Sequence, residues 1–158
     1  MPRGKDHHYT LQLTWTGAEA GPTRDYRVYS REYRVDFDGK PSMTGSADPA
    51  FKGDPKLHNP EELLLLALSS CHMLSYLALA SLEGLVVTAY EDNASGTMVQ
   101  EGRGGRFNKV TLRPKVTLAP GSDLARAETL HGDANRTCFI ANSVNFPVGH
   151  EASVTTAG

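Results

Sequence analysis

The chain has 158 residues, 39% hydrophobic and 22% charged, with a formal net charge of −2. That length supports one folded domain, 1–158, with a sizeable core, and the small, dispersed charge excludes the basic footprint of a nucleic-acid binder. The opening MPRGKDHHYT has no apolar signal-peptide stretch, so the expected location is the cytoplasm, where two cysteines point to catalytic, redox or metal chemistry rather than a structural disulfide.

Tyr9 to Trp15 alternates, with Tyr9, Leu11, Leu13 and Trp15 on one side, and this predicts a half-buried strand. Residues 16–23 contain Gly and Pro and read as a loop; 24–29 read as extended. Tyr33, Val35 and Phe37 share a face, Asp38-Gly39 signals a hairpin turn, and 40–45 supplies the returning strand. Residues 46–58 are rich in turn formers.

The chain is organised around the next stretch, NPEELLLLALSSCHMLSYLALASLEG. Asn59 is placed to cap a helix, Pro60 suits its first position, Glu61 and Glu62 meet the positive end of its dipole, and Gly84 suits a left-handed C-cap. Between Leu63 and Leu82 there is no Asp, Glu, Lys or Arg. The run has membrane-spanning length, but it lacks flanking Lys/Arg, and Ser69, Ser70, His72 and Tyr76 are costly in lipid. It therefore reads as a core helix, buried on most sides, with a polar centre that needs a reason.

Beyond it, 85–90 reads as a strand that turns or bulges at 93–96 and continues over 97–99. Residues 101–105 (EGRGG) form a hairpin tip, and 107–118 one long strand with Val110, Leu112, Val116 and Leu118 on one face. Ser122 is expected to cap a helix over about 123–135, with Leu124, Ala127, Leu130 and Ala134 inward. Thr137 is expected to cap a shorter helix over 138–143, and 148–154 to form a last strand. This order is α+β. A helix apolar nearly all round asks for more cover than a chain of this size supplies, so a dimer is expected.

Cys71 sits among Ser69, Ser70 and His72, and donors or positive charge around a thiol make it reactive. Cys138, in the first turn of the expected short helix, would have its pKa lowered by free N–H groups and the dipole. Each is also a plausible small core residue. Their spacing leaves open whether they meet. A metal site built from both with His72, His131 or His150 has no CxxC or HxxxH spacing behind it. Adjacent helical residues do not face each other, so His72 reads as a hydrogen-bonded core histidine. Glu61 lies ten residues before Cys71, about 15 Å along a straight helix. Arg24, Arg27, Arg31 and Arg34 are the available cations.

The sequence resembles the OsmC/Ohr family of thiol peroxidases, in an OsmC-like branch. The residues that carry this are YSREY (29–33), SADPAFKGD (46–54), NPEELLLLALSSCHMLSYLALA (59–80), YEDNASGTM (90–98), VTLRPKV (110–116) and CFIANSVNFPV (138–148). The resemblance implies an intertwined homodimer in which each long central helix is wrapped by antiparallel sheets from both chains. It implies Cys71 as peroxidatic and Cys138 as resolving cysteine, with Glu61 as the acid of the family's NPEQ motif. The family arginine is assigned to Arg31, with Arg24 as the alternative. The implied chemistry needs no metal, haem or flavin: an organic hydroperoxide is reduced through a Cys71 sulfenic acid and a Cys71–Cys138 disulfide, which an external dithiol such as a lipoyl protein reopens. SSCHM departs from the family's A-A-C-F run and leaves the preferred peroxide open. A non-catalytic small-ligand-binding protein and a redox sensor are the other classes compatible with these residues.

Overall fold

The computed structural model describes residues 4–158, in two compact units, Met1–Leu63 and Leu64–Gly158. The first unit is built on a three-stranded antiparallel sheet in the order β1 (Gln12–Thr14), β2 (Tyr33–Phe37), β3 (Lys40–Gly45). Leu13 pairs with Val35, and Val35 with Met43. Gly39 makes the expected turn at φ 69. The expected strand Tyr9–Trp15 is cut to Gln12–Thr14, and its apolar row of Tyr9, Leu11, Leu13 and Trp15 is exposed. Residues 16–20 form a short 3-10 helix. Residues 24–29, expected to be extended, form turns instead: the Asp25 carboxylate accepts from the Arg27 N–H at 2.9 Å, and the Val28 N–H bonds back to the Asp25 carbonyl at 3.1 Å.

The long helix α1 is Pro60–Leu82. Asn59 caps it, accepting from the Glu62 N–H at 2.9 Å and donating to the Glu62 carboxylate at 2.8 Å. At the other end Gly84 takes φ 75, and the Leu85 and Gly84 N–H groups bond to the Ala80 and Ser81 carbonyls, a Schellman ending. The helix has the length and mean hydropathy, 1.8, of a membrane span. Its buried residues are Leu68, His72, Tyr76 and Ala80, spaced four apart on one face. The expectation of burial on most sides is therefore not met by this chain alone, and Leu66 and Leu74 are 60% and 61% exposed.

The second unit folds against that buried face. Its strands are β4 (Val87–Asp92), β5 (Ser95–Glu101), β6 (Gly104–Leu112), β7 (Pro114–Leu118), β8 (Val148–His150) and β9 (Ser153–Thr156), with helix α2 (Leu124–Thr137) between β7 and β8. They make two sheets, β4-β7-β9 and β5-β6-β8. Both are mixed rather than purely antiparallel, because β8 and β9 run parallel to β6 and β7.

The expected single strand over 107–118 is divided at Arg113, where the chain leaves one sheet for the other. Pro114 has no N–H to continue the ladder, and the Arg113 N–H turns to the Asp92 carboxylate at 2.7 Å. The chain also breaks between β4 and β5, within the turn or bulge expected at 93–96, and the single strand expected over 148–154 is divided between β8 and β9. Arg113 ties the three crossings together: its guanidinium reaches the Asn93 carbonyl at 3.2 Å, Ser95 Oγ at 2.8 Å and Glu151 at 3.4 Å.

Two apolar clusters fill the unit. Tyr76 and Ala80 pack with Val116, Leu118, Ala127, Leu130 and Ala134; Leu68 packs with Val110 and Leu112. Asp123, not Ser122, caps α2, accepting from the Arg126 N–H at 3.0 Å, while Ser122 Oγ donates to the Ala119 carbonyl. Leu124, expected inward, is 39% exposed at the start of the helix.

Candidate active site

Cys71 lies at the middle of α1, half-buried, and Cys138 is 1% exposed immediately after α2. The two thiols are near neighbours, close enough for Cys71 to act on Cys138. The fold thus brings together two residues whose sequence separation could not show a meeting.

The local structure at Cys138 differs from expectation. Thr137 does not open a new helix. It is the last residue of α2, its Oγ1 donating back to the Asp133 carbonyl at 3.0 Å. Cys138 is the C-cap, and only a 3-10 turn, Ala141–Ser143, follows. The thiol therefore sits beside the carbonyl end of α2 rather than at an N-terminus. Burial pushes its pKa up, outweighing the Ala141 N–H at 3.5 Å from Sγ, and the Cys71 thiol adds to the rise.

The polar residues around Cys71 point in separate directions. Ser69 Oγ donates to the Asp92 carboxylate at 2.5 Å, and Ser70 Oγ donates to the Leu66 carbonyl within its own helix at 2.7 Å. His72 turns away from the thiol, as its helical position requires, and its Nε2 meets Nδ1 of His131 at 3.0 Å. Both rings are buried, and they stack with centroids 5.3 Å apart. Tyr76 stacks on His131 at 4.1 Å, and the exposed His150 lies 5.9 Å from each of the two buried rings. Burial first, and His150 second, pull His72 down to about 4; burial first, then His72 and His150, pull His131 down to about 3.

The sequence presents His131 only as a candidate metal ligand. Its partnership with His72 was legible in part, since position 131 falls on the Ala127, Leu130, Ala134 stripe. Among the described residues no cluster of His, Cys, Asp or Glu has the arrangement of a metal site.

Arg31 and Glu61 both belong to the first unit. The Arg31 guanidinium donates to the carbonyls of Tyr26 and Tyr29 and lies 3.6 Å from the Tyr29 ring centroid. Glu61 Oε2 is buried and, among the described residues, has no hydrogen-bond partner; no Arg31–Glu61 ion pair is formed. The Glu61 carboxylate instead acts on Tyr33, whose pKa is raised by burial first and by that charge second. Arg24 makes a backbone turn contact with Pro22.

Residues 53–152 match the model of the OsmC-like protein family. An OsmC-like protein of unknown function from Vibrio cholerae has a solved structure that is 34% identical, with a TM-score of 0.84 over 94% of this chain and 100% of that one. A second, titled an organic hydroperoxide resistance protein from Elizabethkingia anophelis, is 18% identical, with a TM-score of 0.67 over 97% of this chain and 100% of that one. The uncharacterized protein YmaD of Bacillus subtilis is 25% identical over 97% of this chain and 98% of its own. The α+β architecture is that of the OsmC-like proteins. This chain belongs to that family.

Proposed function

We propose that this protein is a cysteine-based peroxidase that reduces organic hydroperoxides. The observation that supports it is the proximity of the Cys71 and Cys138 thiols. Exposure supports the roles: a peroxide would reach half-buried Cys71, while Cys138 is buried and its thiol is held in the protonated form. The Cys71 thiolate attacks one peroxide oxygen, the O–O bond breaks, and the alkoxide takes a proton to leave as alcohol. Cys71 is then a sulfenic acid. Cys138 displaces its hydroxyl as water, and the disulfide forms. An external dithiol, a lipoyl-type group by analogy with the family, takes that disulfide back to two thiols and is itself oxidised.

The apolar setting favours an organic substrate. Cys138 opens the segment whose Ile140, Ala141, Val144 and Phe146 pack on Leu68, Val110 and Leu112, and Phe139 beside it is 75% exposed. The name of the Elizabethkingia protein points the same way. Arg31, with Arg24 as alternative, and Glu61 are proposed to stabilise the thiolate and to hold the peroxide, a role in which the unpartnered Glu61 oxygen would gain its cation. A homodimer is proposed as the working state, because the apolar row of the first sheet and the outer face of α1 are left uncovered.

The test is to treat reduced protein with one equivalent of cumene hydroperoxide, or of hydrogen peroxide, and to read the intact mass and a non-reducing peptide map. A Cys71–Cys138 disulfide that forms faster with the organic peroxide and is reversed by a dithiol is expected. Two unmodified thiols would refute the peroxidase reading and favour a ligand-binding role.

A further inference from the structure

Four contacts link α1 to α2 in antiparallel order. Cys71 meets Cys138, His72 meets His131, Tyr76 Oη donates to the Ala127 carbonyl at 2.8 Å, and Glu83 pairs with Arg126. His131 precedes Cys138 by seven residues, two helical turns or about 10 Å, which places both on the face of α2 that looks at α1. Of the two contacts nearest the thiols, only the histidine pair can acquire two like charges.

The proton count is specific. The neutral pair carries two protons on four ring nitrogens: one in the Nε2···Nδ1 hydrogen bond and one on an outer nitrogen. The outer atoms, His72 Nδ1 and His131 Nε2, are both buried without a partner among the described residues. A third proton leaves both outer atoms as donors with no acceptor. A fourth turns the N···N contact at 3.0 Å into two N–H groups facing each other.

The surroundings offer little to absorb that charge. From β4, the Asp92 carboxylate acts on His72, but Ser69 Oγ and the Arg113 N–H already occupy its oxygens. Tyr90, also on β4, and Tyr76 on α1 are neutral phenols pushed up by burial. From β8, His150 adds a third imidazole, and Glu151 beyond it is paired with Arg113. Being exposed, His150 is also the solvent-side member of the cluster.

We propose that His72 and His131 are positioning residues for the thiol pair: neutral, they hold the end of α2 against α1 so that Cys138 meets Cys71; doubly protonated, they force that end away and part the thiols. The clamp follows from the geometry of the pair and stands whether or not the thiols turn over peroxide. If the peroxidase reading holds, resolution of the sulfenic acid becomes acid-sensitive.

The probe is phenylarsine oxide, which bridges two neighbouring thiols with loss of one water and involves neither peroxide nor electron transfer. Capture is read by intact mass between pH 7 and about pH 2.5, below the values of both rings, with far-UV circular dichroism alongside and histidine ring signals followed by NMR. Wild-type protein is expected to form a one-to-one bridged adduct at pH 7 and to lose affinity for the arsenical roughly tenfold or more as both rings protonate, with its helical signal retained. The H72Q/H131N double variant places non-titrating amides near the two bonded ring nitrogens and is expected to hold capture constant over the range. H131N alone, used where the double variant fails to fold, is expected to flatten the profile.

Three outcomes would overturn the clamp: wild-type capture indifferent to protonation of both rings, variants losing capture at the wild-type midpoint, or helical signal and capture collapsing together. A protein inert to peroxides that still shows pH-gated capture fails only the peroxidase reading; an active peroxidase with pH-independent capture fails only the clamp.

Discussion

Two tyrosines with rings 5.9 Å apart in the second unit should respond oppositely to loss of the same atom. Tyr76 is fully buried, and its hydroxyl donates to the Ala127 carbonyl at 2.8 Å. Tyr76→Phe removes that bond. The Ala127 carbonyl keeps its place in the α2 ladder, so the cost is one net hydrogen bond, about 1 kcal/mol. The Tyr90 hydroxyl is buried with no partner among the described residues. Tyr90→Phe removes an atom that lost its water on folding and gained nothing, so stability should rise by about 1–2 kcal/mol. For a chain of this size each kcal/mol moves Tm by roughly 2–4 °C. Urea unfolding followed by circular dichroism would read both, with unchanged m-values showing that only stability moved. The rings touch, so the double variant is not assumed additive. Destabilisation by Tyr90→Phe as large as that by Tyr76→Phe would refute the reasoning, since it would mean the Tyr90 hydroxyl has a partner in solution.

Acid should destabilise the protein through its buried imidazoles. His72 at about 4 and His131 at about 3 lie below the ordinary 6.5, so both bind protons more weakly folded than unfolded. Stability is complete above about 6.5 and falls as pH drops toward those values, by up to about 1.4 kcal/mol per pH unit for each ring; urea midpoints from pH 7 to 4 would show it, with a shallower slope in H131N. Asp92→Ala strands the Ser69 hydroxyl and the Arg113 N–H at the point where strands change sheet, and thermal melts should report a loss of about 1.5–3 kcal/mol. Cys71→Ser should abolish peroxide consumption in a dithiol-coupled assay. Cys138→Ser should allow one oxidation of Cys71 and then its conversion to sulfinic acid, visible by mass; undiminished cycling in that variant would remove Cys138 from the resolving role.

Much of this fold is local chemistry. Asn59, Pro60 and Gly84 bound the long helix because capping, a fixed φ and a left-handed ending are decided within a few residues. The Asp38-Gly39 hairpin is legible for the same reason. Where the reading slipped, a neighbour competed. Asp123 took the cap position from Ser122, whose hydroxyl was claimed by the Ala119 carbonyl. Thr137 continued α2 instead of opening a helix, and that reversed the expected electrostatics at Cys138. The strand over 107–118 was divided at Arg113 because two sheets, not one, were available to receive it.

The sequence alone determined the central helix, the placing of Cys71 at its middle and the family, because each depends on residue type and short-range order. Tertiary structure alone decided that Cys138 meets Cys71, that His72 finds His131 fifty-nine residues away, and that Asp92 and Arg113 knit the sheet crossings. Such contacts form between side chains far apart in the chain. Their existence rests on how α2 and the two sheets pack against one face of α1, and no spacing in the sequence encodes that packing.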